Sequence, residues 1–234
     1  MKTIGLIGGM SWQSSMLYYK TLNKSIEQQF GGFASCKCLL YSVNFEEIAA
    51  LQKANDWTAL NQLMKQAAIH LYEGGADVII LCANTMHLCS EAIVKAVPIP
   101  FLHIAVATGE AIQAKGLKKV GLLGTKFTME KDFYTRVLAD NFQIETLVPN
   151  ANEREEMHRI IYEELVFGEL KASSRKSCQN IITQLEAEGA EGVILGCTEI
   201  PLLITPSDST IPVFDTTAIH AKKAVQWATQ DENL

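Results

Sequence analysis

The residue best placed to do chemistry is Cys197, which ends the apolar run Gly192–Cys197 and precedes two polar residues, Thr198 and Glu199. A thiol at the junction of a buried strand and a following helix lies near the positive end of the helix dipole, which favours the thiolate. A thiolate is both a nucleophile and a general base. A cysteine that only packs in the core is the alternative, but the polar pair after it favours a catalytic role.

The sequence around Cys197 is the second copy of an internal repeat. A shift of 114 residues lays Gly75–Thr85 over Gly189–Glu199 without a gap. Opposite Cys197 stands Ala83, one residue after Cys82. Adjacent residues on a regular strand point to opposite faces, so Cys82 cannot simply replace position 83. The first copy is therefore predicted to carry its thiol one place early or to lack one.

Six more polar residues follow other apolar runs. They are Asn84 and Thr85, Thr125 and Thr128, and the pair His103 and Asp215. The Asn and the three Thr residues could each bind a substrate or only cap a helix, because Asn and Thr are good cap residues. The repeat matches His103 with Asp215, and we expect these two residues to lie behind the substrate-binding residues and support them.

A glycine-rich turn, Gly8-Gly9-Met10-Ser11, follows the first predicted strand. It resembles a phosphate loop but lacks the Gly-x-Gly-x-x-Gly spacing and a Gly-Lys-Ser/Thr ending, so nucleotide binding is not expected. The alternative is a tight turn whose backbone N–H groups, with Ser11, cradle a small anion.

The elements that must position these residues alternate between strands and helices. Three segments repeat at offsets of 116, 114 and 112, beginning at Lys2, Gly75 and Ile99. The pattern predicts an α/β fold of two pseudo-symmetric, duplicated domains with parallel sheets, residues 1–116 and 117–234, with a C-terminal helix able to cross back onto the first. Ligands of such sheets bind beyond the carboxyl ends of the strands, so the polar turns should converge on one cleft between the halves.

Composition excludes several classes of protein. The 234 residues are 48% hydrophobic with a net charge of −6, which argues against a nucleic-acid partner. No apolar run approaches the length of a membrane span, and the N-terminus is too short and glycine-rich for a signal peptide. We expect a cytoplasmic protein with reduced thiols and no membrane partner.

Metal binding is not expected either. The pair Cys36 and Cys38 has no second Cys/His pair at zinc spacing, and the gaps among Cys82, His87 and Cys89 match no usual site. Small hydrophobic residues in strands are the simpler interpretation of these thiols.

Taken together, the motifs resemble the aspartate/glutamate racemase superfamily, and within it the aspartate racemase branch. The resemblance implies two pseudo-symmetric α/β domains, no pyridoxal phosphate, and racemisation by two thiols that flank the α-carbon of the substrate. The segments that carry it are Ile4–Ser11, Asn84–His87, Gly121–Thr125 with Thr128 and Met129, Gly196–Ile200, and Pro212–Thr217 with His220.

The resemblance also implies roles for individual residues. Cys197 keeps the family's second thiol, whereas the position of the first is Ala83. Thr198, with Asn84 and Thr85, matches positions that bind the carboxylate and amine of the substrate, and Glu199 follows in the same motif. The pocket-lining positions are Met10, Ser11, Thr125 and Thr128.

Two departures concern the substrate. Aspartate racemases of this type place a Lys before Gly168, but Tyr162–Gly168 contains none, and Gln52 stands near where a basic residue is expected. A neutral or broader range of amino acids is therefore compatible with the sequence.

The leading hypothesis is a cofactor-independent amino-acid racemase in which Cys197 is the base and acid on one face. Cys82 through an irregular strand end, Thr85, or water would serve the other face. Alternatives are a single-thiol decarboxylase or isomerase of a small diacid, and a protein that binds an amino acid without turnover. The partner in each case is a small molecule, and the sequence leaves a homodimer open.

Overall fold

The structure, a computed structural model, describes residues 1–230. As predicted, it is an α/β fold in which every described strand pair is parallel. The strands are β1 (Ile4–Gly8), β2 (Cys38–Ser42), β3 (Val78–Leu81), β4 (Lys119–Gly124), β5 (Glu145–Leu147), β6 (Val193–Gly196) and β7 (Val213–Asp215). The helices are α1 (Trp12–Phe30), α2 (Phe45–Lys53), α3 (Trp57–Glu73), α4 (Ser90–Ala96), α5 (Ile104–Gln113), α6 (Lys126–Glu130), α7 (Asp132–Phe142), α8 (Ala151–Glu163), α9 (Ala172–Ala187), α10 (Ile200–Leu203) and α11 (Thr216–Thr229).

The strands form two parallel sheets. The first has the order β2-β1-β3, and the second has the order β5-β4-β6-β7. Strands β1, β3 and β6 are buried along their whole length, which explains their continuous apolar sequence. No helix within the described residues is long and apolar enough to cross a membrane.

The chain divides into two compact units, at places that differ from the predicted boundary at residue 116. The first unit comprises Met1–Ile104 and residues 220–230, and the second comprises Ala105–Ile219. Helix α5 therefore belongs almost wholly to the second unit, where Tyr134 of α7 donates a hydrogen bond to Thr108. Most of α11 belongs to the first unit.

Packing explains why these two helices change units. A Cβ on Gly109 of α5 would lie 2.4 Å from the ring of Phe142, so the glycine lets α5 approach α7 closely. In the first unit, Ala221, Ala224 and Val225 of α11 join one apolar cluster with β1, β3 and α1. The sequence anticipated the return of α11 but not the transfer of α5.

Local sequence fixes the helix starts. Ser11, Asp56 and Thr125 accept a hydrogen bond from a backbone N–H in the first turn of α1, α3 and α6 respectively. The sequence predicts a capping box of Asn152 and Glu155 at the start of helix α8, but the capping box that forms is two residues earlier, at Asn150 and Glu153.

Three elements differ from the prediction. Helix α2 was not predicted, although Asn44 caps it. The sequence pattern predicts one helix over residues 85–96, but this segment begins as a 3₁₀ turn, Thr85–Cys89, before α4. The pattern also predicts a short strand near Phe101 and Leu102, where the structure has a single bridge from Phe101 to Ile79.

Candidate active site

Cys197 directly follows β6, at the carboxyl edge of the second sheet. The preceding residue, Gly196, pairs with Gly124 at the end of β4. A Cβ on Gly196 would lie 2.8 Å from the carbonyl oxygen of Leu123 and 3.2 Å from Cγ2 of Thr128. The glycine thus lets Thr128, a predicted site residue, pack against the backbone beside the thiol.

Cys197 is hydrogen-bonded to a carboxylate two residues along the chain. Its Sγ donates to Oε2 of Glu199 at 2.9 Å, and the hydroxyl of Thr198 donates to the same oxygen at 2.6 Å. All three residues are buried. The structure therefore brings the predicted Cys-Thr-Glu group together as one hydrogen-bonded unit.

The surroundings of Cys197 favour the thiol and not the predicted thiolate. Burial raises its pKa well above the ordinary value, and the charge and hydrogen bond of Glu199 raise it further. Hydrogen bonds from the backbone N–H groups of Glu199 and Ile200 lower the pKa, but by less. Because α10 has only four residues, its dipole is too small to outweigh these effects. The resting group is a proton donor.

Tyr162 of α8 is a neighbour of this pair that sequence reasoning did not assign. Burial raises the pKa of its phenol, and the electrostatic influence of the neighbouring Cys197 and Glu199 raises it further. The ring also contacts His158, with 4.6 Å between ring centroids. Tyr162 is the first residue of the segment Tyr162–Gly168, in which the resemblance drew attention only to the absence of a lysine.

The other predicted residues of the second unit lie at the ends of neighbouring strands. The hydroxyl of Thr125 caps α6 by accepting from Thr128 N–H, and the two hydroxyls are 3.3 Å apart. Oδ1 of Asp215 accepts from the N–H groups of Thr217 and Ala218 at 3.0 Å each, so Asp215 caps α11. Capping therefore accounts for part of the role of Thr125 and Asp215.

In the first unit, Ala83 follows β3 at the place equivalent to Cys197. Ala83, Asn84 and Thr85 are all buried. Strand β3 pairs with β1, and the predicted residues Met10 and Ser11 follow β1. Polar groups thus gather at this edge also, but the side chain at position 83 is a methyl group.

The glycine-rich turn after β1 is held by internal hydrogen bonds. Gly9 N–H donates to the hydroxyl of Ser15 at 2.7 Å, and the hydroxyl of Ser11 accepts from Ser14 N–H. A Cβ on Gly9, which has a φ of +93°, would lie 2.2 Å from the carbonyl oxygen of Val43. The turn is therefore tight, as predicted, but the N–H of Gly9 is engaged within it and does not face an anion.

Cys82 lies on the other side of the first sheet from Ala83. It packs in the apolar cluster with α1 and α11, whereas Ala83 belongs to a cluster on the opposite face with Ile7 and Met86. The thiol is fully buried, and burial raises its pKa well above the ordinary value. No irregularity of the strand end turns Cys82 towards position 83. Core packing explains this cysteine.

Two histidines hold the backbone behind position 83. Nδ1 of His87 lies 2.8 Å from the carbonyl oxygen of Ala83, and Nε2 accepts from Ile104 N–H at 3.2 Å. Nε2 of His220 lies 2.8 Å from the carbonyl oxygen of Leu102, and Nδ1 lies 2.9 Å from the hydroxyl of Tyr18. A carbonyl can only accept, so the facing nitrogen carries the proton in each ring.

His103, a predicted supporting residue, joins this group through its ring. Its centroid lies 4.6 Å from that of His87. Burial lowers the pKa of His103 and of His220 to about 4, and lowers the pKa of His87 well below its ordinary value. All three rings are neutral near neutral pH.

Gln52 of α2 lies beside the turn that carries Thr85. Its Nε2 donates to Sδ of Met86 at 3.2 Å, and the residue is buried.

In the second unit, Glu164 is held by Arg159 at 2.7 Å and by the hydroxyl of Ser174 at 2.5 Å. The cation in the segment before Gly168, Arg159, is therefore already paired with the carboxylate of Glu164.

The cysteines outside the two strand ends form no metal site. Within residues 1–230, no group of three or more His, Cys, Asp or Glu side chains could hold a metal ion. The Sγ of the half-buried Cys36 donates to the carbonyl oxygen of Lys37 at 3.6 Å, and the interaction with Cys36 lowers the pKa of Cys38 to about 7. All six cysteines have free thiols.

The parallel α/β fold places a buried thiol–carboxylate pair at the end of a strand, an arrangement that is typical of enzymes that transfer protons. The family model for Asp/Glu/Hydantoin racemases matches residues 7–224, and the chain belongs to that family. It is accordingly a racemase, an isomerase by reaction class.

Similarity to individual proteins supports the assignment to this racemase family. A candidate Asp/Glu racemase from Yersinia pestis is 48% identical, with a TM-score of 0.92 over 98% of this chain and 100% of that one. An aspartate racemase homologue from Pyrococcus horikoshii OT3 is 40% identical, with a TM-score of 0.85 over 98% and 100%. The broad specificity amino-acid racemase RacX of Bacillus subtilis (strain 168) is 26% identical over 73% of each chain.

Proposed function

We propose that this protein is an amino-acid racemase that works without pyridoxal phosphate and uses Cys197 to exchange the α-proton on one face of the substrate. The observation that carries the proposal is the buried hydrogen bond from Cys197 to Glu199 at the carboxyl end of β6. An acid whose proton is already shared with a carboxylate can donate to a carbanion and be regenerated in place.

The proton balance of Cys197 follows from its protonated resting state. As an acid, Sγ–H gives its proton to the α-carbon, and Cys197 becomes a thiolate. As a base, Cys197 must first pass its proton to the carboxylate of Glu199, and the resulting thiolate then takes the α-proton. The hydroxyl of Thr198, which donates to the same carboxylate oxygen, stabilises the charged form of Glu199.

The opposite face of the substrate has no thiol in this proposal. Ala83 offers no ionisable group, and Cys82 is packed into the core on the other side of the sheet. Of the three possibilities that the sequence left open, Thr85 and a water molecule remain. Both are weaker bases than a thiolate at neutral pH, so removal of a proton from this face should limit racemisation.

We propose a broad substrate range that includes neutral amino acids. Recognition of an acidic side chain calls for an uncommitted cation. On the two sides of Gly168, Arg159 is engaged by Glu156 and Glu164, and Lys171 by Glu169 and Glu164. The similarity to a broad specificity racemase supports the same range.

One experiment tests the proposal. The purified protein is incubated in D₂O with each enantiomer of aspartate, glutamate, alanine and other neutral amino acids, and α-deuteration and chirality are followed together. Deuteration with racemisation supports the proposal. Absence of both signals across the panel would overturn it.

The methyl group at position 83 favours a second candidate function. A single-thiol enzyme would protonate an enolate from one side only, as in decarboxylation or isomerisation of a small diacid. Deuteration with retained configuration in the same experiment would favour this one-sided chemistry over racemisation.

A further inference from the structure

The second unit contains a buried hydroxyl that the proposed chemistry does not yet use. Thr217, in the first turn of α11, is only 4% exposed. Among the residues that the structure describes, no donor or acceptor lies within hydrogen-bond reach of its Oγ1. Buried polar groups in folded proteins are nearly always paired, and exceptions often mark a ligand site.

The position of Thr217 in its helix explains why this hydroxyl has no hydrogen-bond partner among the described residues. A threonine inside a helix can donate to the carbonyl four residues before it, as Thr229 does to Val225 at 2.9 Å. Four residues before Thr217 is Val213, whose carbonyl belongs to strand β7 and not to a helix. The hydroxyl therefore has no internal acceptor at the usual place.

The sheet register brings Thr217 close to the strand end that carries Cys197. The last pair of strands β6 and β7 is Leu195 opposite Asp215, and Cys197 and Thr217 each follow two residues later, Thr217 in the first turn of α11. The junction stays against β6 beyond the last strand pair, because the hydroxyl of Thr216 donates to the carbonyl of Leu195 at 2.8 Å. The unpaired hydroxyl thus stands at the edge that carries the thiol.

The charges at this edge favour a cationic partner. Glu199 and Asp215 place two carboxylates there, and the N–H groups that open α11 already donate to Asp215. The neighbouring cation, Lys126, pairs with Glu155 at 2.6 Å. A hydroxyl oxygen in such surroundings is suited to accept a hydrogen bond from an ammonium group.

We propose that Thr217 is a substrate-binding residue whose hydroxyl accepts a hydrogen bond from the α-ammonium group of the amino acid. This inference rests on the proposed function, since it takes an amino acid as the ligand. It assigns a role to a residue for which neither the motif nor the repeat indicated one.

The test compares Thr217→Val, which removes the hydroxyl at constant shape, with Thr217→Ser, which keeps it. The control is Thr146→Val, because Thr146 carries another buried hydroxyl without a partner but lies on the edge strand β5. Binding of L-aspartate and L-alanine is measured by calorimetry, together with binding of succinate and propionate, which lack the amine. Racemisation kinetics and melting temperatures are measured for each variant.

The expected result is specific to the amine. Thr217→Val should weaken binding of the amino acids, and raise KM, by about tenfold, the effect of losing one hydrogen bond to a charged group. Succinate and propionate should bind Thr217→Val as they bind the wild type. Thr217→Ser and Thr146→Val should stay close to the wild type. Thr217→Val should melt no lower than the wild type, since it removes an unpaired buried hydroxyl.

Three results would overturn the inference. These are unchanged amino-acid binding in Thr217→Val, an equal loss of affinity for the compounds without an amine, and a lower melting temperature that accounts for the loss. An active wild type with an unaffected Thr217→Val would remove this inference and keep the proposed function. If the wild type is inactive but binds amino acids, and Thr217→Val binds them more weakly, the proposed function is overturned and this inference is kept. A wild type that neither binds nor turns over amino acids would overturn both.

Discussion

The two ends that the repeat makes equivalent, after β3 in the first unit and after β6 in the second, differ in chemistry. After β6, Cys197 shares its proton with Glu199. After β3, Ala83 presents a methyl group, and its carbonyl is held by His87. The second end carries a group that can transfer a proton, whereas the first carries a methyl group at that position and a carbonyl fixed by a histidine. Equivalent strand ends therefore do not imply equivalent catalytic groups.

The largest effect should come from removing the thiol at the second end. Cys197→Ser should lower α-proton exchange by roughly 10²- to 10⁴-fold, the usual contribution of a general acid–base group. Exchange of the α-proton in D₂O, followed by NMR, measures this loss. The control is Cys178→Ala, which removes another buried thiol of the same unit. Equal activity in Cys197→Ser and the wild type would contradict the assignment.

Restoring a thiol at the first end should have the next largest effect. Ala83→Cys should raise the rate of racemisation by roughly 10- to 100-fold, because a thiol is a better acid and base than water or a hydroxyl. Chiral chromatography measures the rate. Ala83→Ser is the matched control and should give much less. If Cys82→Ala abolished the activity of the wild type, Cys82 and not the absent thiol would be the second group.

A smaller effect is expected from the partner of the thiol. Glu199→Gln should lower activity by about tenfold and should also lower the pKa of Cys197, because the charge of Glu199 raises that pKa. The acid form of Cys197 would then be lost at a lower pH, and the alkaline limb of the pH–rate profile should move down. A profile with an unmoved alkaline limb would show that Glu199 does not control the proton of Cys197.

Lowering the pH should destabilise the first unit more than the second, without any mutation. His103 and His220 have pKa values of about 4 in the folded protein, against an ordinary value of 6.5. Between these values the unfolded chain binds more protons, so stability falls as the pH drops from about 6.5 to about 4. Hydrogen exchange should show earlier loss of protection at residues 83 and 102–104 than at β6. Equal loss in both units would argue against this role of the histidines.

The sequence was sufficient for the parts of the fold that depend on local patterns. Buried parallel strands such as β3 and β6 are continuous apolar runs, and the repeat predicted that their ends correspond. Helix α2 was missed because it has only nine residues and these are mixed in polarity, so they show no clear helical pattern. The transfer of α5 depends on Phe142 meeting Gly109, residues far apart in sequence.

The candidate site residues were proposed from the sequence, which could not indicate the protonation state of Cys197. The motif Cys-Thr-Glu identified Cys197 and Glu199, but the helix-dipole argument favoured a thiolate. That argument considers the helix alone, whereas the pKa depends on burial and on the distance between the thiol and the carboxylate. Tyr162 and Thr217 were not assigned because their positions follow from helix packing and sheet register, which the sequence does not display.

The protonated state of Cys197 has a practical consequence for chemical labelling. Alkylating reagents attack thiolates, and Cys197 is buried and holds its proton. Cys38 is half-buried, and its pKa of about 7 makes it the more reactive group at neutral pH. Iodoacetamide should therefore modify Cys38 first, and a survey of reactive cysteines would select the wrong one. Variants in which Cys36 and Cys38 are replaced by serine are the right starting point for labelling at Cys197.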